Sequence, residues 1–380
     1  MKSSRETIVL SINTSWNIIN FRADLIRRLQ YDGYDVVAVS PDDGYGPAIT
    51  ALGVRHIALP IDSKGQSPFN DIKLTVRYWQ ILRQLRPSVF LGWTIKPNIY
   101  GSIAAHALRI PVINNISGLG TAFIKVGPLT QIVGRLYRIA LARSSTVFFQ
   151  NRYDRDLFIA QRCVRSEHTA LLPGSGINLT DFSPVDPVGE TAPFSFLMVA
   201  RLLRDKGVVE FAEAARIVRA TRPEVRFHLL GFLDVANRTA VDRATVESWV
   251  RDGTLDYLGE ASDVRPYLAA ASAVVLPSYR EGMPRSLLEA AAMGKPLVAT
   301  DVPGCTEIAR AGENAFLCHA RDARSLAQAM LAMLDLDPVT YAAMGQRSRE
   351  IAEQEFSVAV VEARYIAAIN GALGKVPTKV

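Results

Sequence analysis

The stretch that most restricts how this chain can fold runs from Ala273 to Thr300. Ala273-Val274-Val275-Leu276 is apolar, β-branched and too short for a helix, so it reads as a buried strand. A turn follows at Glu281-Gly282-Met283-Pro284, then a helix from about Arg285 to Met293. Gly294-Lys295-Pro296 stops that helix, and Leu297-Val298-Ala299-Thr300 begins a second strand. Strand, helix and strand in this order make a βαβ unit, which requires a parallel sheet with its crossover helix on one face. Ligands of such sheets lie beyond the carboxyl ends of the strands, where the Glu281 turn falls. Backbone N–H groups at the start of the helix suit a phosphate. A second carboxylate, Glu289, sits eight residues on, along the helix.

The same alternation begins the chain. Thr7 to Ile12 reads as a strand, Ile18 to Asp32 as a helix ending near Gly33, and Tyr34 to Ser40 as a strand. The intervening loop, Asn13 to Asn17, has no glycine, so the dinucleotide fingerprint is missing and a nicotinamide or flavin enzyme loses its best support. A chain of 380 residues exceeds what one core usually fills. Leu171-Leu172-Pro173-Gly174-Ser175-Gly176-Ile177-Asn178 is the natural hinge. Residues 1–170 are expected to form one Rossmann-like domain, residues 171–357 a second, and residues 358–380 a last, amphipathic helix.

Charge separates the halves. Residues 1–170 carry 21 Lys and Arg against 11 Asp and Glu, residues 171–380 carry 22 against 26, and the whole chain is +6. The first half therefore expects an anionic partner. Cys163, Cys305 and Cys318 have neither metal-ligand nor disulfide spacing, which fits a reducing cytoplasm. The N-terminus is too polar for a signal peptide, and no apolar run is long enough to span a bilayer.

A second motif precedes the first by about 80 residues: Val199-Ala200-Arg201-Leu202-Leu203-Arg204-Asp205-Lys206-Gly207. This segment, together with Glu281-x7-Glu289 and its Gly-x-Pro turn, resembles the donor-site signature of the family 4 retaining glycosyltransferases. The resemblance implies the α/β GT-B architecture: two Rossmann-like domains facing each other across a cleft, with a C-terminal helix crossing back to the first. It implies that Arg201 and Lys206 grip the donor diphosphate and that Glu281 contacts the donor sugar. Glu289 would hold the ribose hydroxyls, with Gly282, Met283, Pro284, Ser286 and Leu287 lining the donor. In relatives the Asp263-Val264 loop frames the base.

Three first-domain loops resemble one subset of the family, which acts on polyprenyl-diphosphate-linked sugars in bacterial glycan assembly. These are Asn13-Thr14-Ser15-Trp16 with Asn20-Phe21-Arg22, then Thr94 to Gly101, then Asn114 to Gly120. The resemblance makes Asn17, Arg22, Lys96, Asn98, Asn115 and Gly118 the acceptor side. One departure stands out: many members place a histidine after the strand equivalent to Pro111–Asn115, and here the strand ends in Asn114-Asn115. An amide there can hydrogen-bond but cannot titrate. His56 and His106 read as structural.

The donor implied is a UDP-linked N-acetylhexosamine or hexose, with no cofactor and no metal; Asp181 and Asp186 are too isolated to be ligands. Three alternatives remain open: a non-hydrolysing UDP-sugar epimerase, a transferase with a soluble acceptor, and a catalytically dead membrane scaffold. The segment Pro128 to Ala142 is an apolar helix with Arg135 and Arg138 on one face and Arg143 just beyond. The window 121–165 holds eight cations against Asp154 and Asp156. That pattern is either a core-facing helix with a solvated basic side or a patch that rests on anionic lipid. The second places the protein in the cytoplasm, peripheral on the inner face of the cell membrane. Aromatics do not interleave with the cations, so nucleic acid is not expected.

Overall fold

The computed structural model describes residues 5–62, 65, 67–118, 128–185, 193–234 and 237–375. They form two compact units: residues 1–175 with 358–380, and residues 176–357. The first runs five residues beyond the expected 170, because Thr169–Leu171 is the seventh strand of its sheet.

In the first unit the strands are β1 (Thr7–Ser11), β2 (Asp35–Ser40), β3 (Arg55–Ala58), β4 (Val89–Trp93), β5 (Val112–Ile116), β6 (Thr146–Phe149) and β7 (Thr169–Leu171). All pair in parallel, in the order β3-β2-β1-β4-β5-β6-β7. The second unit repeats the scheme with β8 (Ser195–Val199), β9 (Arg226–Leu230), β10 (Asp256–Tyr257), β11 (Ala273–Leu276), β12 (Leu297–Thr300) and β13 (Ala315–Cys318), in the order β10-β9-β8-β11-β12-β13. Both are Rossmann-like α/β sheets. In each, the chain leaves its first strand toward one edge and then returns beside it to build the other. The crevices at that reversal, β1/β4 and β8/β11, are where such sheets bind ligands.

Strand sequences show why both faces are covered. In β11, Ala273 and Val275 pack into one apolar cluster while Val274 and Leu276 pack into another. A parallel strand buried on both faces is apolar throughout, and only its side-chain direction alternates.

Three features of the fold leave little trace in the sequence. The loop Thr94 to Gly101 ends in a wide turn, Pro97–Gly101, ahead of a regular helix over Ser102–Ala107. A long helix, Pro338–Glu355, carries only a weak apolar stripe; it buries Met344, Gly345, Ser348, Ile351 and Ala352. Its small residues permit close approach: a Cβ on Gly345 would stand 2.5 Å from the Gly294 carbonyl. Strands β7, β10 and β13 are two to four residues long, with little periodicity to read.

The last helix, Val358–Ala372, packs into the first unit through Val361, Tyr365 and Ile369, one per turn. The Tyr365 ring meets Trp93 at 5.6 Å and Phe148 at 5.1 Å between centroids. Among the described residues no helix is long and apolar enough to cross a membrane.

Candidate active site

Three of the expected donor residues lie at the β8/β11 crevice. Arg201 lies just past β8, Lys206 ends the tight turn Arg204–Lys206, and Glu281 lies in the loop after β11. The two loops touch backbone to backbone: the Tyr279 N–H donates to the Asp205 carbonyl at 2.9 Å. Gly207 makes this approach possible, because a Cβ there would stand 2.1 Å from the Pro277 carbonyl, and its φ is +77°.

The Lys206 ammonium donates to Glu281 Oε1 at 2.5 Å, and Ser278 Oγ donates to the same oxygen at 2.7 Å. Ser278 is itself fixed, its carbonyl accepting from Thr300 Oγ1 at 2.5 Å. Both members of the ion pair are largely but not wholly buried, with side chains 20% and 11% exposed. The carboxylate thus has one oxygen held by two donors, and its second oxygen keeps acceptor capacity, while the ammonium has two N–H donors besides the one it gives to Glu281. Arg201 is exposed and pairs with no carboxylate among the described residues. An exposed cation therefore lies on the same loop as a paired one.

Glu289 lies on the helix Arg285–Ala292, only 9% exposed. One turn earlier, Arg285 Nε donates to Glu289 Oε1 at 2.7 Å. Burial pushes the Glu289 carboxyl above its ordinary range, and Arg285 opposes that rise. Pro284 precedes the helix and no side chain caps it, so the first-turn N–H groups of Ser286 and Leu287 have no partner within the helix. The Leu287 side chain is wholly buried in the core, so only its backbone can face a ligand. Pro284 is buried, while Gly282, Met283 and Ser286 are part-exposed.

Further residues brace the site that the sequence reading did not single out. Tyr279 Oη donates to Glu210 Oε1 at 2.6 Å, and the Arg321 guanidinium lies 4.6 Å over the Tyr279 ring. Burial and the Glu210 carboxylate push the Tyr279 hydroxyl up to about 12, so it stays a donor. These partners come from separate elements, and nothing local in the sequence pairs them. Arg285 had a signal, its i,i+4 spacing to Glu289. Asp263 is engaged by Arg265 through two 2.8 Å contacts.

The first unit presents a different picture. Lys96 Nζ donates to Asp71 Oδ1 and Tyr100 Oη to Asp71 Oδ2, both at 2.7 Å. Asn98 is buried, its amide donating to the Asn115 carbonyl at 2.8 Å and its oxygen accepting from Asn114 at 3.0 Å. Asn114 also donates to Ser102 Oγ and accepts from Ser144 Oγ. Asn115 donates to Tyr365 Oη at 2.9 Å, while its own Oδ1 is buried with no partner. Arg22 is 4% exposed and lies 5.1 Å over the Trp93 ring. Asn98 and Arg22, expected as acceptor contacts, are therefore interior supports of the loops; the wide turn at Pro97–Gly101 carries Asn98 inward. Asn17 Oδ1, in the first turn of the helix Ser15–Tyr31, is a second buried acceptor without a partner. Gly118 adopts φ +142° after β5, and the rest of that loop lies outside the described residues.

Two family profiles match the chain. "Glycosyl transferase 4-like domain" covers residues 19–174 and "Glycosyl transferases group 1" covers residues 193–336, so each falls on one unit. The chain is a GT-B glycosyltransferase of the family 4 type. Among curated relatives, this glycosyltransferase is 27% identical over 84% of its length to the N,N'-diacetylbacillosaminyl-diphospho-undecaprenol alpha-1,3-N-acetylgalactosaminyltransferase of Campylobacter jejuni, spanning 87% of that protein. It is 24% identical over 81% of its length to the UDP-Gal:alpha-D-GlcNAc-diphosphoundecaprenol alpha-1,3-galactosyltransferase of Escherichia coli, spanning 82% of it. Among solved structures, a glycosyltransferase from Rickettsia africae superposes with a TM-score of 0.80 at 15% identity, covering 97% of this chain and 99% of that one. Anabaena HepE, solved with UDP and glucose, gives 0.75 at 18% identity, covering 96% and 100%. In this glycosyltransferase, then, the charged residues gather on the group 1 unit and the amides on the 4-like unit.

Proposed function

We propose that the enzyme moves a hexose or N-acetylhexosamine from a UDP-sugar, with retention, to a saccharide carried on a polyprenyl diphosphate in bacterial glycan assembly. The observation that carries this reading is the Lys206–Glu281 ion pair at the β8/β11 crevice, with Arg201 beside it and Glu289 on the next helix. A nucleotide sugar puts an anionic diphosphate next to a ring of hydroxyls, so its site needs cations adjoining an acceptor. Lys206 and Glu281 supply the two from one pair. Two curated relatives are named for diphospho-undecaprenol acceptors, and one of them for a UDP-Gal donor, which supports the reading.

The hard step is departure of UDP, which gathers negative charge on the β-phosphate. Arg201, Lys206 and the first-turn N–H groups of the helix Arg285–Ala292 stabilise that charge, a task that needs no divalent ion. The departing phosphate accepts the proton of the incoming hydroxyl on the same face of the sugar, which gives retention without a protein nucleophile. Glu281 orients the sugar through its hydroxyls, and Glu289 accepts from the ribose. Asn115, buried like Asn98 and unable to titrate, supports the loop that meets the acceptor.

Helix Pro128–Leu141 exposes Ile132 and Ile139 with Arg135 between them, which supports its resting on anionic lipid. Arg138 takes no part: its guanidinium holds the carbonyls of Gln161 and Arg162 at 3.0 Å each. The test is transfer from a panel of radiolabelled nucleotide sugars into bacterial membrane lipid extract. Label entering the organic phase with a UDP-sugar supports the reading and names the donor. Label staying in water with every donor overturns the lipid acceptor, and conversion of a UDP-sugar to its epimer without acceptor overturns transfer itself.

A further inference from the structure

The helix Pro68–Leu85 turns Leu74, Tyr78 and Leu82 into the core of the first unit. On its opposite side Phe69, Ile72 and Val76 follow one another at spacings of three and four. They are 75%, 65% and 48% exposed. Three large apolar side chains at helical spacing make a face, not scattered surface residues. Lys73 lies within it, and Arg77 and Arg83 flank it. The helix's only acid, Asp71, faces elsewhere, bound by Lys96 and Tyr100. The outward face is therefore apolar and cationic, with no carboxylate.

We propose that this face lies against an anionic lipid bilayer, with Phe69, Ile72 and Val76 entering the headgroup boundary. The inference rests on the proposed function only for its purpose; the surface stands on its own geometry. Interleaved cations and apolar side chains on one helix face match the anionic headgroups and acyl boundary of a membrane. The same charge pattern opposes pairing with a second copy of itself. The helix also shares a packing neighbour with the element proposed above to rest on lipid. Helices Pro68–Leu85 and Pro128–Leu141 both pack against the segment Pro97–Ala107, and the Asp71–Lys96 pair ties the start of the first to the loop after β4. A saccharide presented on a lipid carrier at that surface arrives beside this loop.

The test is co-sedimentation of the full chain with vesicles of phosphatidylcholine alone and of phosphatidylcholine mixed with phosphatidylglycerol. The wild type is expected to prefer the mixed vesicles, less so at high salt. Phe69→Asp with Ile72→Asp weakens that binding about tenfold, and Lys73→Glu weakens it less. The double variant keeps wild-type transfer to an acceptor with a short, water-soluble tail but loses transfer to an acceptor embedded in vesicles. Wild-type vesicle binding by the double variant overturns the inference. So does loss of binding confined to Ile132→Asp with Ile139→Asp, which would make the other helix the sole contact. Self-association of the wild type in ultracentrifugation, abolished by Phe69→Asp with Ile72→Asp, would assign the face to a second copy instead. Absence of transfer by the wild type with every soluble acceptor would count against the proposed function and leave the vesicle result to decide this one.

Discussion

At the β8/β11 edge of the second unit the side chains are ions: Lys206 with Glu281, Arg285 with Glu289, and Arg201 exposed beside them. At the matching β1/β4/β5 edge of the first unit they are mostly amides and hydroxyls: Asn98, Asn114 and Asn115, with Ser102, Ser144 and Tyr365. The two sheets share one topology, so the difference is not imposed by the fold. It follows what each edge must hold. Half-buried ions suit the diphosphate of the proposed donor and tolerate rearrangement around it. A wholly buried amide network has fixed partners, and losing one leaves several polar atoms unsatisfied. The charged edge is built to act on charge, whereas the neutral edge is built to keep its shape.

The sharpest way to break this contrast is to remove cations. Lys206→Ala and Arg201→Ala are each expected to slow transfer about 10²–10³-fold while melting close to wild type. Wild-type turnover in both would take the diphosphate away from this edge. The converse experiment is Asn114→Ala, expected to cost about 2–4 kcal/mol of stability in urea unfolding. It strands Ser144 and leaves Asn98 and Ser102 each short of a donor. An unfolding midpoint unchanged from wild type would show that the amides are not structural.

A subtler separation uses pH. In the proposed function Glu289 accepts from the ribose and must be ionised to do so, and burial raises its pKa. Donor affinity, measured by calorimetry, should therefore fall as pH drops through that raised value. Arg285→Gln should move the fall to higher pH and weaken binding by roughly tenfold near neutrality. Stability runs the other way. Between the ordinary glutamate value and the raised one, the folded carboxyl holds a proton that the unfolded chain has released. The fold therefore gains as pH falls through this window. Identical pH profiles for the variant and wild type would remove Arg285 from the site. The smallest effect is expected for Tyr279→Phe, which loses one hydrogen bond to Glu210: a change in turnover of severalfold at most, with donor affinity kept.

Both sheets and the donor motif were legible because their signals are local. Val274 and Val275 announce a buried strand, Gly294 and Pro296 end a helix, and Glu281 and Glu289 stand eight residues apart on one βαβ unit. What escaped was produced by distance in the chain. Tyr279 meets Glu210, and Asn115 meets Tyr365, only after folding. Asn98 and Arg22, expected at the acceptor side, are buried for reasons equally remote from their motifs: the wide turn at Pro97–Gly101 carries Asn98 inside, and the helix Ser15–Tyr31 lays Arg22 over the Trp93 ring. The helix Pro338–Glu355 was silent because it packs through small residues, which leave almost no amphipathic stripe.

The slot that Tyr365 fills has a consequence for how the chain is made. Residues 1–175 leave the ribosome first, yet the helix that covers Trp93 and Phe148 is translated only after all of residues 176–357. Until then the first unit presents an uncovered aromatic groove, and the second, contiguous unit is free to fold before the older one is finished. Clipping the last turns of the chain should therefore damage the domain at the opposite end of the sequence, leaving its immediate neighbour intact.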